Sequence, residues 1–333
     1  MKKWKLSNEK IRKEIPDVQN EILLMSTPYK LPQLPAPDSD ISEIIDFVEL
    51  ECLKNKTTSV QHIIEAISLE DENDITDGNP IDEPIRDRVE EAFNEVNGRN
   101  IQCNGNYPFE LSTEGYVMTH KTKFDKSITS LYTFLLLATR LNMGIDRTHA
   151  GINGTELFEE ISSIILSKYL GSRSHNFVFG TGSTNGSFRE RINELCSLLN
   201  EGVGVSEDYL DVANPKDAGV DIVNWIPFSD KQTGKLISLG QCKTGTSWHN
   251  TKPVQPQKFA DLWLKKPILV SPIKIYVISE ALEKNKKFEI IVSDKDSIFF
   301  DRCRIMDYYM QFETDLQGRI DNWVNSALEA HLR

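Results

Sequence analysis

Two apolar stretches separated by a short polar turn constrain this chain more than any other feature. Val220 to Phe228 and Leu236 to Lys243 flank Asp230-Lys231-Gln232-Thr233-Gly234, which reads as a strand hairpin. The first stretch opens with Gly219-Val220-Asp221, and so carries a carboxylate on an otherwise apolar strand. The second ends with Leu239-Gly240-Gln241-Cys242-Lys243. Strand side chains alternate, so Gln241 and Lys243 share a face and Cys242 turns away from it. A hairpin brings that face beside Asp221. Burying an unpaired carboxylate is costly, so Asp221 requires either a function or a buried ion pair.

Helices precede and follow this hairpin. Asn153-Gly154-Thr155 caps an amphipathic helix predicted over Glu156 to Tyr169, with Leu157, Phe158, Ile161, Ile164 and Ile165 on its apolar face and Gly171 ending it. Ser187 caps a second helix running to Leu199, and further helices are predicted over Gln255–Leu264 and Leu316–Leu332. Phe177-Val178-Phe179, Ile273–Ser279 and Phe288–Ser293 read as strands. Upstream, a proline-rich linker at 31–40 leads to helices around Ile44–Cys52 and Val60–Leu69, and residues 129–138 read as a buried helix. The order is α/β: a central mixed sheet flanked by helices in residues 151–333, preceded by an acidic, mainly helical region over residues 1–150.

Charge separates the two regions. The chain carries a net charge of −12, but residues 1–150 hold 17 basic against 26 acidic side chains, whereas residues 151–333 hold 21 against 24. A local basic groove is therefore compatible with the second region. Residues 38–95 alone hold 18 acidic and 4 basic side chains. They read as solvated surface, with an acidic cover that repels nucleic acid as the sharper alternative. Asp71 to Gly78 lacks calcium-loop spacing, since Ile75 and Pro84 would fall at ligand positions. Gly180 to Gly186 lacks dinucleotide-loop spacing. Five cysteines without a CxxC pair argue against a disulfide framework or a zinc site. Neither a signal peptide nor a membrane-spanning run is visible, so the expected location is cytoplasmic.

Phosphodiester hydrolysis requires a cation to neutralise the oxyanion and activate water, oxygen ligands to hold it, and a positive group near the nucleophile. Asp221 supplies a carboxylate, Gln241 an amide oxygen, Cys242 a backbone carbonyl and Lys243 an ammonium group. A second acid would come from the capped helix, as Glu159 or Glu160. On a helical wheel Glu160 flanks the apolar face more closely. Oxygen ligands of this kind suit magnesium, with manganese as the alternative.

Phe158-Glu159, Gly219-Val220-Asp221 and Gln241-Cys242-Lys243, in this order, resemble the PD-(D/E)xK restriction-endonuclease-like superfamily, and within it the Mrr-type branch that carries Gln-x-Lys. The resemblance covers roughly residues 150–300. It implies a restriction-endonuclease-like core and a magnesium-dependent endodeoxyribonuclease acting in bacterial restriction or antiphage defence. It makes Glu159, Asp221, Gln241 and Lys243 catalytic, and Asp221, Gln241, Cys242 and Glu159 metal ligands, with Glu160 as the alternate acid. DNA is the expected partner, with a homodimer or a partner protein of a defence complex as further expectations. The neutral Gln241 keeps open a non-cleaving binding or regulatory subunit, and an RNA-cleaving nuclease is a third reading. Thr244, Trp248 and Lys252, just beyond the lysine, are candidate nucleic-acid contacts: hydroxyl, aromatic stack and cation. Gln255 and Gln257 could face the same groove, and Arg302 and Arg304 read as core-edge or phosphate contacts.

Overall fold

The computed structural model describes residues 30–35, 39–71, 83–179, 187–207 and 219–332. Residues 1–29, expected as a short, partly helical arm, the acidic stretch at 72–82, the glycine-rich stretch at 180–186 and Asp217, expected as a turn residue before the first hairpin strand or a peripheral metal contact, lie outside them. The chain forms a mixed α/β structure.

The first region is mainly helical. Helices α1 (Ile41–Asn55), α2 (Val60–Asp71) and α3 (Glu83–Gln102) are followed by α4 (Lys126–Arg140). A small antiparallel sheet lies among them, built from β1 (Thr57–Ser59), β2 (Phe109–Leu111) and β3 (Val117–His120) in the order β1-β3-β2. The Ser59 hydroxyl accepts from the His62 amide and so caps α2. Helix α3 was not anticipated, because charged side chains dilute its apolar content. Its buried residues nonetheless fall at helical spacing: Ile85, Val89, Ala92, Phe93 and Val96.

The second region begins with a two-stranded turn, β4 (Thr148–His149) and β5 (Ile152–Asn153), then α5 (Gly154–Leu170), β6 (His175–Val178) and α6 (Phe188–Leu199). Ser187 and Glu190 form a complete capping box on α6. The expected hairpin follows as β7 (Ile222–Ile226) and β8 (Leu236–Lys243). After it come α7 (Pro256–Trp263), β9 (Ile273–Ile278), α8 (Lys286–Lys295), β10 (Ile298–Phe300), α9 (Arg302–Asp307) and α10 (Thr314–His331).

Five strands make one mixed sheet in the order β10-β9-β8-β7-β6. The β6/β7 and β7/β8 pairs are antiparallel, and the β8/β9 and β9/β10 pairs parallel. Residues 288–293 are helical rather than a strand. The Asn285 side chain accepts from the Lys287 and Phe288 amides and starts a helix there, and Ile290 is left 69% exposed. A central strand of this sheet would bury such a residue. The strand lies further on, at β10, where Phe299 and Phe300 are both buried.

Helices cover both faces of the sheet. Leu157, Phe158, Ile161 and Ile165 of α5 pack with Ile222, Cys242, Ile275 and Val277 on one face, within an apolar core that runs without a break from Leu31 to Ala327. On the other face Val223, Trp225, Ile237 and Leu239 pack beneath α6 and α7, and Tyr276, Ile278 and Phe299 pack with Phe288 of α8. No helix among the described residues is long and apolar enough to cross a membrane.

Candidate active site

The site lies where β7 begins and β8 ends. Asp221 sits one residue beyond the Ile222–Gly240 rung. Its amide donates to the Gly240 carbonyl at 2.9 Å, and its own carbonyl accepts from Phe179 at 2.6 Å. The carboxylate accepts from the Cys242 amide at 2.8 Å, which ties it to the neighbouring strand. Gly219 makes room for the next group. Its φ of +64° favours glycine, and a Cβ there would meet the Gln241 amide nitrogen at 2.9 Å. Gly240 likewise lets Ile222 pack against β8, where a Cβ would lie 2.5 Å from the Ile222 side chain.

Gln241 is 5% exposed, and its Oε1 has no hydrogen-bond partner. A buried amide oxygen left unpaired costs about 1–3 kcal/mol. Lys243, two residues on, is half-buried. The Cys242 thiol points into the core beneath α5, and burial pushes its pKa up. What Cys242 offers the site is therefore its backbone.

Helix α5 supplies the acid. The Asn153 side chain accepts from the Thr155 amide and donates to Glu156 at 2.6 Å, fixing where the helix starts. Buried Phe158 then anchors the first turns against the sheet. Consecutive helix residues diverge by about 100°, and here they meet opposite fates. Glu160 points to α10 and accepts two hydrogen bonds from Arg319, at 2.6 and 2.8 Å. Glu159 points to the strand ends. Its carboxyl is pushed up to about 8, first by burial and then by the Asp221 charge, with Lys243 opposing and Glu156 adding a little. Burial also raises the Asp221 carboxyl, against the pull of Lys243 and the Cys242 amide. The wheel alone had favoured Glu160; the structure instead sets Glu159 within electrostatic reach of Asp221 and Lys243. A cleft of about 580 Å³ opens beside Glu159, lined in part by Asn153, Glu156, Glu160, Val178 and Arg319. Glu156 and Arg319 escaped the sequence reading. The signal for Glu156 was its place three residues after the capping asparagine, and nothing local pointed to Arg319.

Beyond Lys243 the candidate contacts separate. Thr244 is half-buried beside Thr246 and Ser247 in a hollow of about 500 Å³. Lys252 is exposed. Trp248 is not available to stack on a base: it is 1% exposed, its indole N–H donates to Glu280 at 2.7 Å, and it packs on Tyr276 and Phe299. Exposed His249 stacks on that indole. Gln255 is exposed, and Gln257 donates to Asp261 on its own helix. Arg302 is not a phosphate contact, and Arg304 takes the core-edge position. Arg302 is fully buried against Asp46, and Arg304 donates to the Phe299 carbonyl over the Phe288 ring.

Among the described residues no three His, Cys, Asp or Glu side chains converge as a metal-ligating group. The donor set at the strand ends has a different composition: two carboxylates and the orphaned oxygen of Gln241. Oxygen donors of this kind suit a hard divalent cation such as magnesium, and of the three only Glu159 lines the cleft. Comparisons with protein-family models, curated proteins and solved structures found no match to this chain.

Proposed function

We propose that this protein is a magnesium-dependent endonuclease that hydrolyses DNA phosphodiester bonds, on a core of the restriction-endonuclease type. The observation that carries this reading is that two buried carboxyl groups, Glu159 and Asp221, lie within electrostatic reach of each other and of Lys243, on the strand ends that also carry the unpaired Gln241 oxygen. Two buried carboxyl groups that repel each other, with only one ammonium group in reach, are a poor structural device and a good cation site. Glu159, Asp221 and Gln241 would hold the ion, and the Cys242 carbonyl is the backbone candidate. A bound ion would neutralise a phosphate oxygen and lower the pKa of attacking water. Lys243 places positive charge where the transition state gains negative charge. Without the ion Glu159 holds a proton at neutral pH, which limits the repulsion with Asp221. A role in bacterial restriction or antiphage defence follows from the sequence resemblance.

Asp221→Ala and Lys243→Ala are each expected to abolish magnesium-dependent nicking of plasmid DNA, with circular dichroism unchanged. Full activity in either variant would sink the proposal. The neutral Gln241, where an acid would hold the cation more firmly, favours a second reading: a subunit that binds without cutting. Tight DNA binding with no cleavage under magnesium or manganese would select it. Parallel digests of matched DNA and RNA decide the substrate.

A further inference from the structure

Residues 251–275 hold five lysines and one aspartate, in a chain whose net charge is −12. Lys274 is paired with Asp296. The other four, Lys252, Lys258, Lys265 and Lys266, are exposed, and among the described residues none has a carboxylate within ion-pair distance. The lone acid, Asp261, accepts from Gln257 on the same helix.

The fold sets these lysines on α7 and its two flanks. Lys252 lies two residues before Val254, which is buried in the same cluster as Val220 beside Asp221. Lys258 lies on α7, next to Phe259. That ring meets Phe179, whose amide donates to the Asp221 carbonyl. At the far end of α7 the Lys265 and Lys266 amides donate to the Gly204 and Gly202 carbonyls, which fixes the backbone carrying both side chains. Helix α7 covers about 12 Å, and Lys252 on one side and Lys265 and Lys266 on the other extend the run of lysines beyond it. Its apolar side, Phe259, Ala260 and Trp263, is committed to the sheet, so Lys258 belongs to the solvent side.

We infer that α7 and its flanks form a backbone-tracking ridge for duplex DNA, which leads the phosphate chain to the strand ends bearing Asp221 and Lys243. Four exposed lysines with no carboxylate partner among the described residues, on an otherwise acidic protein, suit the phosphate chain of a nucleic acid. The cleft on the α5 side, lined by Glu156, Glu159 and Glu160, offers no comparable attraction. This inference rests on the nuclease reading for its substrate, but its test does not depend on cleavage.

The test measures anisotropy of a fluorescent 30-base-pair DNA duplex with the full chain in EDTA, across a salt series. Replacing Lys252, Lys258, Lys265 and Lys266 together by Gln is expected to weaken binding roughly 100-fold near physiological salt. It should also flatten the slope of log K against log salt by about 3.6, since each phosphate contact contributes about 0.9. The matched control replaces the exposed Lys54, Lys123, Lys126 and Lys168, and should leave both quantities within twofold. Wild-type binding by the ridge variant, or an equal loss in the control, would overturn the ridge. Equal affinity for an RNA duplex would overturn its assignment to DNA. An intact ridge effect with no cleavage by the wild type would instead condemn the nuclease reading alone.

Discussion

Two buried polar clusters in this molecule solve the same problem in opposite ways. In the helical region Asp46 and Glu49 of α1 meet three guanidinium groups. Asp46 accepts from Arg99 at 2.7 Å, from Arg140 at 2.8 Å and twice from Arg302, at 2.8 and 2.9 Å. Glu49 accepts from Arg99 and from the Tyr107 and Tyr132 hydroxyls at 2.7–2.8 Å. Burial works to raise the Asp46 carboxyl and is outweighed by Arg302, then Arg140 and Arg99, which hold it far below the usual carboxylate range. At the strand ends, Glu159 and Asp221 share one ammonium group, both carboxyls are pushed up, and Gln241 keeps an unpaired oxygen. The first cluster is electrostatically complete and joins α1, α3, α4 and α9. The second lacks a positive charge, and that deficit is what marks it as a site.

The largest expected effect breaks the complete cluster. Arg302→Met removes the guanidinium that binds Asp46 twice and also holds the Ser279 carbonyl. Leaving buried carboxylates underpaired should cost about 3–5 kcal/mol in urea unfolding. Asp221→Asn, which relieves like-charge repulsion, should cost far less or stabilise the metal-free protein. Equal losses in the two variants would erase the distinction. The ion pairs also dispose of the acidic-cover idea for part of residues 38–95. Asp46 and Glu49 are structural anchors, so removing that segment would break the fold rather than bare a surface.

Acid and alkali should find different weak points. Asp46 has a depressed carboxyl, so its stabilisation is present above the unfolded carboxylate pKa and is lost as the pH falls below about 4. Glu159 is raised from 4.5 to about 8. The folded state therefore binds more protons than the unfolded state between those values, and stability falls as the pH rises through that window. Thermal melts of metal-free protein from pH 4 to 9 should show the alkaline decline, and Glu159→Gln should flatten it. An unchanged decline in that variant would remove Glu159 from the site.

What could be read from the sequence depended on how far each signal reached along the chain. The β7/β8 hairpin, the Asn153 cap and the Ser187 cap rest on residues within a few positions of one another, and all three stand in the structure. Alternation along one strand was enough to set Gln241 and Lys243 together. The run Phe288 to Ser293 misled because β-branched residues imitate a strand until the Asn285 cap is weighed. The Asp46–Arg302 pair, 256 residues apart, had no local signature, so the acids of α1 looked like surface. The same limit applied to Glu159 and Glu160: the helical wheel knows the helix but not its neighbour.

That neighbour supplies the smallest and most discriminating prediction. Glu160 and Arg319 form a two-point ion pair with both side chains about one-third exposed, at 34% and 35%. Such a pair contributes less than about 1 kcal/mol once solvent screening is counted. Glu160→Gln should therefore shift the unfolding midpoint slightly and leave magnesium-dependent cleavage within about threefold of wild type. Glu159→Gln, adjacent in sequence and on the same helix, should abolish cleavage while raising metal-free stability at pH 8. Loss of cleavage in the Glu160 variant with activity retained in the Glu159 variant would exchange their roles. It would mean that Arg319 releases Glu160 to the cation when substrate enters the cleft, and the α5 acid would then have to be read from a rearranged site.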